Sequence, residues 1–272
     1  MNIRTDIAIE KSEMLNNKNI EGVSVFKEKR GETEITQVHI LNSHGEEQIG
    51  KPMGKYITLA MPEFSHESEL LDGRLDVLTD MIKDLIPSKT KRFLVVGLGN
   101  EDITPDALGP LCVNKIFSTR HLEKIAQSDL GLPKLNPVAS ISTGVLGQTG
   151  IETAEYVKGI VDIVKPELVI IVDALASAKK ENLCKTIQLT NTGITPGSGV
   201  GNYRNHIDKE LLGTSVVSIG VPTVINIENT IDMFVTPKEI DMIVKRAASL
   251  IAMGINCAIQ PQMEPELFLA LS

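Results

Sequence analysis

Two aspartates stand out because each follows an apolar stretch typical of a buried strand. Asp106 lies in GLGNEDITPDALGP (97–110), which comes directly after FLVV, and Asp173 ends the run ELVIIVD (167–173). Ligands of open parallel sheets bind outside the carboxyl ends of the strands. If the two strands are neighbours, both aspartates are therefore expected at the same edge of the sheet.

A pair of carboxylates at one edge is suited to hydrolysis. Two such groups cannot both ionise easily, so one pKa rises and the other falls. One group can then deprotonate a water molecule while the other protonates a leaving amine. Each aspartate alone has a simpler explanation: Asp106 complements a helix dipole, and Asp173 caps a helix. The combination, with Glu101 and Asp102 in the same turn, indicates a catalytic site.

Other chemistries lack their sequence patterns. Gly97 and Gly99 permit a tight turn, but a dinucleotide fingerprint needs glycine at position 102, and a P-loop needs a GK[ST] sequence. The chain contains no GxSxG, HExxH or CxxC motif, and no two histidines have metal-ligand spacing. His206 alone lies near the presumed site, and we expect it to be an exposed loop residue. The sequence thus predicts neither a cofactor nor a bound metal.

Composition excludes several classes of protein. The chain has 272 residues, with 35 acidic and 27 basic side chains, a net charge of −8 and few aromatics (3%). Binding to a phosphate backbone needs clustered Lys and Arg, and single-strand platforms need aromatic rings, so a nucleic-acid partner is not expected. Three widely spaced cysteines fit a reducing compartment. The sequence shows no signal peptide and no membrane-spanning run, so we expect a cytoplasmic protein without a membrane partner.

The order of apolar runs predicts an α/β fold. Continuous apolar runs indicate buried parallel strands, and helical periodicity appears between them. We therefore expect a mostly parallel mixed sheet flanked by helices, with an N-terminal β-hairpin over residues 35–60 as an appendage, in a single domain over residues 1–272. The predicted helices cover 70–86, 106–124, 150–165 and a last one capped at Thr236, and the predicted strands cover 93–99, 136–141, 167–173, 185–190 and 214–222.

Several blocks together resemble a known family. VVGLGNEDITPDALGP, STGVLGQTGIETAE, IIVDALAS, TGITPGSGVGN, SIGVPTVI and the N-terminal IRTDIAIE occur in this order, and they resemble the germination proteases of spore-forming bacteria. Those endopeptidases degrade the small acid-soluble proteins that coat spore DNA. The resemblance implies a fold similar to the hydrogenase maturation proteases, a homotetramer, and a location in the cytoplasm of the forespore or spore core.

The resemblance also implies roles for individual residues. It places the aspartic-type catalytic pair on Asp106 and Asp173, and it implies a zymogen that removes its own propeptide, residues 1–6, by a cut between Asp6 and Ile7. In the peptidase hypothesis, backbone N–H groups of the GLGN turn or the PGSGVGN loop hold the substrate or the developing oxyanion. The candidates are Gly97, Gly99, Asn100 and Gly199.

One departure and two alternatives remain open. Longer family members carry an insertion before the final helix, whereas VPTVINIENTIDMFVTPKEI passes almost directly into it here, which leaves oligomer contacts and zymogen control open.

The first alternative is a hydrogenase-maturation-type, metal-dependent endopeptidase, which would need His206 beside the two carboxylates. The second is a catalytically silent binding protein that retains the fold.

Overall fold

The computed structural model describes residues 6, 10, 20–62, 64, 70–124, 133–200, 204–226 and 233–271. Within these residues nine strands form one sheet in the order β1-β2-β3-β7-β8-β6-β4-β5, and β9 pairs with β8. The strands are β1 Val23–Arg30, β2 Thr33–Ile40, β3 Gly54–Ala60, β4 Phe93–Gly97, β5 Val138–Ser142, β6 Leu168–Ser177, β7 Thr186–Thr190, β8 Ser215–Asn226 and β9 Phe234–Val235.

Helices cover both faces of the sheet, as expected for an α/β fold. Alternate residues of the central strands point to opposite faces, so Val95 and Ile170 belong to one apolar core and Val96 and Ile171 to the other. The helices are α1 Ser43–Ile49, α2 Gly73–Leu85, α3 Leu108–Val113, α4 Leu146–Thr149, α5 Thr153–Val164, α6 Lys209–Leu212, α7 Ile240–Ile259 and α8 Pro265–Leu271.

The sheet has a parallel half and an antiparallel half. Strands β8, β6, β4 and β5 pair with one another in parallel. Strands β1, β2, β3 and β7 pair antiparallel, and β8 is also antiparallel to β7 and β9, so the parallel share is smaller than the sequence suggests. The hairpin expected over 35–60 does form between β2 and β3. It joins the main sheet through β3 and β7, however, and α1 occupies the segment expected to be a turn.

Strand β6 continues past the point where the sequence ends it. The apolar run stops at Asp173, but β6 extends to Ser177 because the twelve-residue β8 supplies backbone partners along its whole length. Strand β4 ends at Gly97, opposite Val172. The β6 edge from Asp173 onward therefore has no β4 partner, and Asp173 lies inside a strand instead of at its end.

Two helices differ from their predicted extents. The helix expected over 106–124 is only α3 plus short 3-10 turns, because the chain bends to the sheet edge, where the N–H of Thr119 donates to the carbonyl of Val138 at 2.9 Å. Thr236 does not cap the last helix, since its hydroxyl donates to the carbonyl of Thr223. α7 begins at Ile240, and although it is long and apolar enough to cross a membrane, it packs as a largely buried core helix.

Candidate active site

A cavity of about 440 Å³ lies at the carboxyl end of β4 and β6. Three carboxylates line it, and they come from separate segments: Asp6 near the N-terminus, Asp106 in the 3-10 turn Thr104–Asp106, and Asp173 in β6. The rest of the lining is mostly apolar. Its larger apolar side chains are Leu98, Ile103, Pro105, Val145, Leu146, Leu175, Pro196, Val224, Phe234 and Val235.

Asp106 is positioned by the turn that leaves β4. Its Oδ2 accepts a hydrogen bond from the backbone N–H of Asn100 at 2.8 Å. Gly99 has φ +109°, and a Cβ there would collide with the carbonyl oxygen of Asp106, so only glycine fits this close approach. Burial raises the pKa of Asp106, while the Asn100 N–H opposes that effect by favouring the ionised form.

Asp173 is the more deeply buried member of the pair. Its side chain is 6% exposed, and its Oδ1 accepts from the backbone N–H of Ala174 at 2.9 Å. Burial raises the pKa of Asp173 well above its usual range, and the negative charges of Asp106 and Asp6 raise it further. Asp173 therefore holds its proton to higher pH than Asp106 does, and Asp106 is the first of the two to ionise.

This raised pKa predicts how stability depends on pH. Asp173 holds its proton to higher pH in the folded protein than in the unfolded chain. Its contribution to the free energy of unfolding is therefore complete at pH values below its pKa in the unfolded chain. That contribution is lost as pH rises through its pKa in the folded protein. We expect Asp173→Asn to have a higher Tm than the wild type at pH 8, with a smaller difference at pH 5. Thermal melts at both pH values measure this, with exposed Asp102→Asn as control. An equal difference at both pH values would contradict the charge argument.

Asp6 is held on the free edge of β6. Its backbone N–H donates to the carbonyl of Ala176 at 3.1 Å, and the N–H of Ala176 donates to Asp6 Oδ2 at 2.9 Å. The Ser198 hydroxyl donates to Asp6 Oδ1 at 2.6 Å. A Cβ at Gly199 would collide with the Asp6 carboxylate, so glycine there makes room for it. The N-terminal segment is thus bound at Asp6 beside the catalytic candidates. Ile7 lies outside the described residues.

The structure brings together some of the predicted residues and separates others. Gly99 and Gly199 line the cavity with the three aspartates. Gly97 does not line it: a Cβ on Gly97 would meet the backbone of Gly109, so this glycine serves close packing instead. The N–H of Asn100 already donates to Asp106 and is not free to bind an oxyanion.

His206 does not fit the exposed position that the sequence suggested. It is half-buried, with Nδ1 2.8 Å from the Thr195 hydroxyl and Nε2 3.3 Å from the carbonyl oxygen of Thr192. The expectation of an exposed histidine is wrong because the bridge between Ile194 and Ile207 folds this loop back on itself. No histidine is among the described residues that line the cavity. In the described part of the chain, no group of three His, Cys, Asp or Glu residues could hold a metal ion.

Sequence reasoning missed three residues at or beside this site. Arg204 lines the cavity, Ser198 bonds Asp6, and Glu10 is completely buried at the end of β6. The sequence signal for Arg204 and Ser198 was their position in or next to the glycine-rich loop. Glu10 had no such signal, because an isolated glutamate near a charged N-terminus is typical of an exposed residue.

The family model for germination proteases matches residues 3–232. The chain belongs to the germination protease family. This family match makes the chain a protease, and it confirms the resemblance seen in the sequence blocks. The germination protease of Clostridium perfringens is 41% identical over 315 aligned positions, covering 96% of both chains. That of Caldanaerobacter subterraneus is 42% identical over 309 positions, covering 96% of this chain and 95% of the relative.

The match to a third, longer relative covers a smaller share of that relative's length. The germination protease of Bacillus mycoides is 39% identical over 253 positions, which cover 89% of this chain but 67% of that relative. Among solved structures, the NiFe hydrogenase maturation protease HycI from Thermococcus kodakarensis is similar with a TM-score of 0.39 and 22% identity, covering 64% of this chain and 98% of HycI.

Proposed function

We propose that this germination protease is an aspartic-type endopeptidase that uses Asp106 and Asp173 and processes its own N-terminus between Asp6 and Ile7. The observation that carries the proposal is the shared cavity. The residue before the proposed cut, Asp6, lines the same cavity as both carboxylates, and its charge contributes to the raised pKa of Asp173. The alternative of a metal-dependent endopeptidase is less well supported, because no histidine joins the carboxylates among the described cavity residues.

The two carboxylates take different roles in this mechanism. Asp106, whose ionised form is favoured by the Asn100 N–H, removes a proton from the attacking water. Asp173, which holds a proton, donates it to the nitrogen of the scissile amide. Gly99, Gly199 and Arg204 line the cavity, and their backbone N–H groups or the Arg204 side chain can stabilise the developing oxyanion. The apolar lining suits a residue such as Ile7 after the cut.

The same site is proposed to act on the small acid-soluble proteins of spores. Membership of the family and the acidic charge of the chain support this, since an enzyme with net charge −8 does not compete with DNA-binding proteins for DNA. We further propose the forespore or spore-core cytoplasm as its location and a homotetramer as its assembly. Incubation with a purified small acid-soluble spore protein should yield defined fragments, whereas a catalytically silent member would leave it intact.

N-terminal sequencing before and after mild acidification tests the proposed cut. We expect the wild type to acquire a new N-terminus at Ile7, and Asp173→Asn to keep its original one, because only the wild type can protonate the leaving nitrogen. Addition of EDTA should leave the wild-type result unchanged. Loss of processing with EDTA would instead support the metal-dependent alternative, and a cut at another bond would refute the assignment of Asp6.

The rate of cleavage should fall on both the acidic and the alkaline side of an optimum pH, which gives the pH profile two flanks. Activity requires ionised Asp106, so it falls at pH below the pKa of Asp106, and it requires protonated Asp173, so it falls at pH above the pKa of Asp173. Burial raises both pKa values, so both flanks are shifted to higher pH than exposed aspartates would give, and they belong to the pair. Initial rates measured at steps from about pH 5 to 8 test this, and a flat profile would contradict the shared role.

A further inference from the structure

His206 and Thr195 form a hydrogen-bonded pair at the cavity that the proposed mechanism does not use. Thr195 lines the cavity, and its hydroxyl oxygen lies 2.8 Å from His206 Nδ1. On the other side of the ring, His206 Nε2 lies 3.3 Å from the carbonyl oxygen of Thr192 and 3.7 Å from Asp208 Oδ2. The imidazole therefore connects a cavity hydroxyl to a carbonyl group and a carboxylate.

These partners decide which ring nitrogen of the neutral imidazole carries the hydrogen. A carbonyl oxygen and a carboxylate are acceptors only, so His206 Nε2 is the N–H donor. Nδ1 then has a lone pair, and the Thr195 hydroxyl donates its hydrogen to it. Because a hydroxyl has one hydrogen and two lone pairs, its oxygen can now act only as an acceptor. Thr195 thus offers a hydrogen-bond acceptor to a molecule in the cavity.

The loop around Thr195 fixes the position of this acceptor. Ile194 and Ile207 exchange two backbone hydrogen bonds, of 3.0 and 2.8 Å, which join the two sides of the loop next to Thr195. Asp208 Oδ1 accepts from the N–H of Leu211 in α6, which holds that carboxylate beside the imidazole. A group that is already held in place loses less conformational entropy when it binds a ligand.

A peptide bound along the free edge of β6 needs an acceptor of this kind. The N–H of Asp6 donates to the carbonyl of Ala176, and successive N–H groups of an extended chain point to opposite sides. A substrate residue that makes the same bond therefore has neighbours whose N–H groups point away from β6. Those groups lose water on binding and need acceptors on another wall. Thr195 lines the cavity in the same loop as Ser198, whose hydroxyl bonds Asp6.

We propose that the Thr195 hydroxyl oxygen accepts a backbone N–H of the substrate, and that His206 is the positioning residue for this hydroxyl. The N–H belongs to the residue before the one at the cut or to the third residue after it, since both point away from β6. This rests on the proposed function, because a cut after Asp6 sets that register. The contact binds the main chain, so it acts on any sequence that the site admits.

Peptides in which an ester oxygen replaces one backbone N–H test this contact. The parent is RTDIAIEKSE, the sequence of residues 4–13, and the ester replaces the N–H of Thr5, Ala8 or Ile9. Discrimination is the kcat/KM of the parent divided by that of the ester, measured with self-processed protein. We expect Thr195→Val to lower the discrimination against the Thr5 or the Ile9 ester by about 5- to 10-fold, the worth of one hydrogen bond. The Ala8 N–H points towards β6, so discrimination against its ester should not change.

Variants of the same loop assign the contact to its residues. Thr195→Ser keeps the hydroxyl and should keep the discrimination. His206→Phe keeps a ring but removes both nitrogens, so it should lose part of the discrimination. The matched control is Thr192→Val, because the Thr192 hydroxyl bonds Tyr56 and Thr190 and this residue does not line the cavity. Since discrimination is a ratio, it does not depend on how much protein folds.

Each remaining outcome has a separate meaning. If the parent is cut after aspartate and Thr195→Val discriminates as the wild type does, the contact is wrong although the proposed function stands. If the parent is not cut, the proposed function fails and the contact with it. Unchanged discrimination in His206→Phe would overturn its positioning role. Abolished cleavage in a Thr195→Val protein with the wild-type Tm would make the hydroxyl a nucleophile, which a hydroxyl–imidazole pair can also supply, and would overturn the acceptor role.

Discussion

Asp173→Asn is expected to lower the rate of peptide-bond cleavage by about 1,000-fold, and Asp106→Asn by a similar factor. The asparagine at 173 can still accept the Ala174 N–H through its oxygen, so the local backbone keeps its hydrogen bond. It cannot give up a proton to the leaving nitrogen. The asparagine at 106 likewise keeps an acceptor for the Asn100 N–H but cannot remove a proton from water.

Cleavage of the peptide RTDIAIEKSE, which has the sequence of residues 4–13, separates the chemical step from product release when it is measured under single-turnover conditions. The control is Asp102→Asn, since Asp102 is an exposed carboxylate in the same turn and does not line the cavity. It should cleave within about two-fold of the wild type, as surface changes usually have small effects. Activity of either Asp106→Asn or Asp173→Asn at the wild-type rate would show that the carboxylate pair is not the catalytic pair.

Periodicity and apolar runs were sufficient to predict the central layers of the fold. The patterns correctly placed strands β4, β6, β7 and β8 and helices α2 and α5. A strand that is buried on both faces has a continuous apolar run, and a helix that is buried on one face has apolar residues at helical spacing. The end of β6 was not predictable in this way. Asp173 interrupts the apolar run, and the strand continues through Ala174–Ser177 because β8 pairs with those residues.

The placement of Asp106 and Asp173 at one cavity follows from the neighbouring parallel strands β4 and β6, so sequence reasoning could anticipate it. The binding of Asp6 and Glu10 could not be anticipated from spacing. Those carboxylates lie more than 160 residues from their partners Ala176, Ser177 and Asn182. Asp6 can bind Ala176 because β4 ends at Gly97 and leaves the β6 edge beyond it without a β4 partner, whereas Glu10 binds at the end of β6 and in the turn that follows.

Gly109→Ala is expected to be strongly destabilising, although it adds only one methyl group near the site. A Cβ at position 109 would collide with the carbonyl oxygen of Leu98, and would lie 2.5 Å from the Leu98 nitrogen and 2.6 Å from the Val172 carbonyl oxygen. All three atoms are backbone, so no side chain can move aside. We expect a loss of about 3 kcal/mol in the free energy of unfolding, which corresponds to a fall in Tm of roughly 6 to 12 °C.

Cleavage should fall in the same variant, because α3 must move away from β4 and β6 and carries Asp106 with it. The matched control is Gly159→Ala, at an exposed position of α5 where an added Cβ meets nothing within 4 Å. Alanine is the better helix former, so this variant should gain about 0.5 to 1 kcal/mol and retain full activity. Thermal melts and peptide assays on both variants test these expectations. Equal Tm values for the two variants would show that β4, β6 and α3 do not pack against one another at Gly109, and that the position of Asp106 does not depend on this contact.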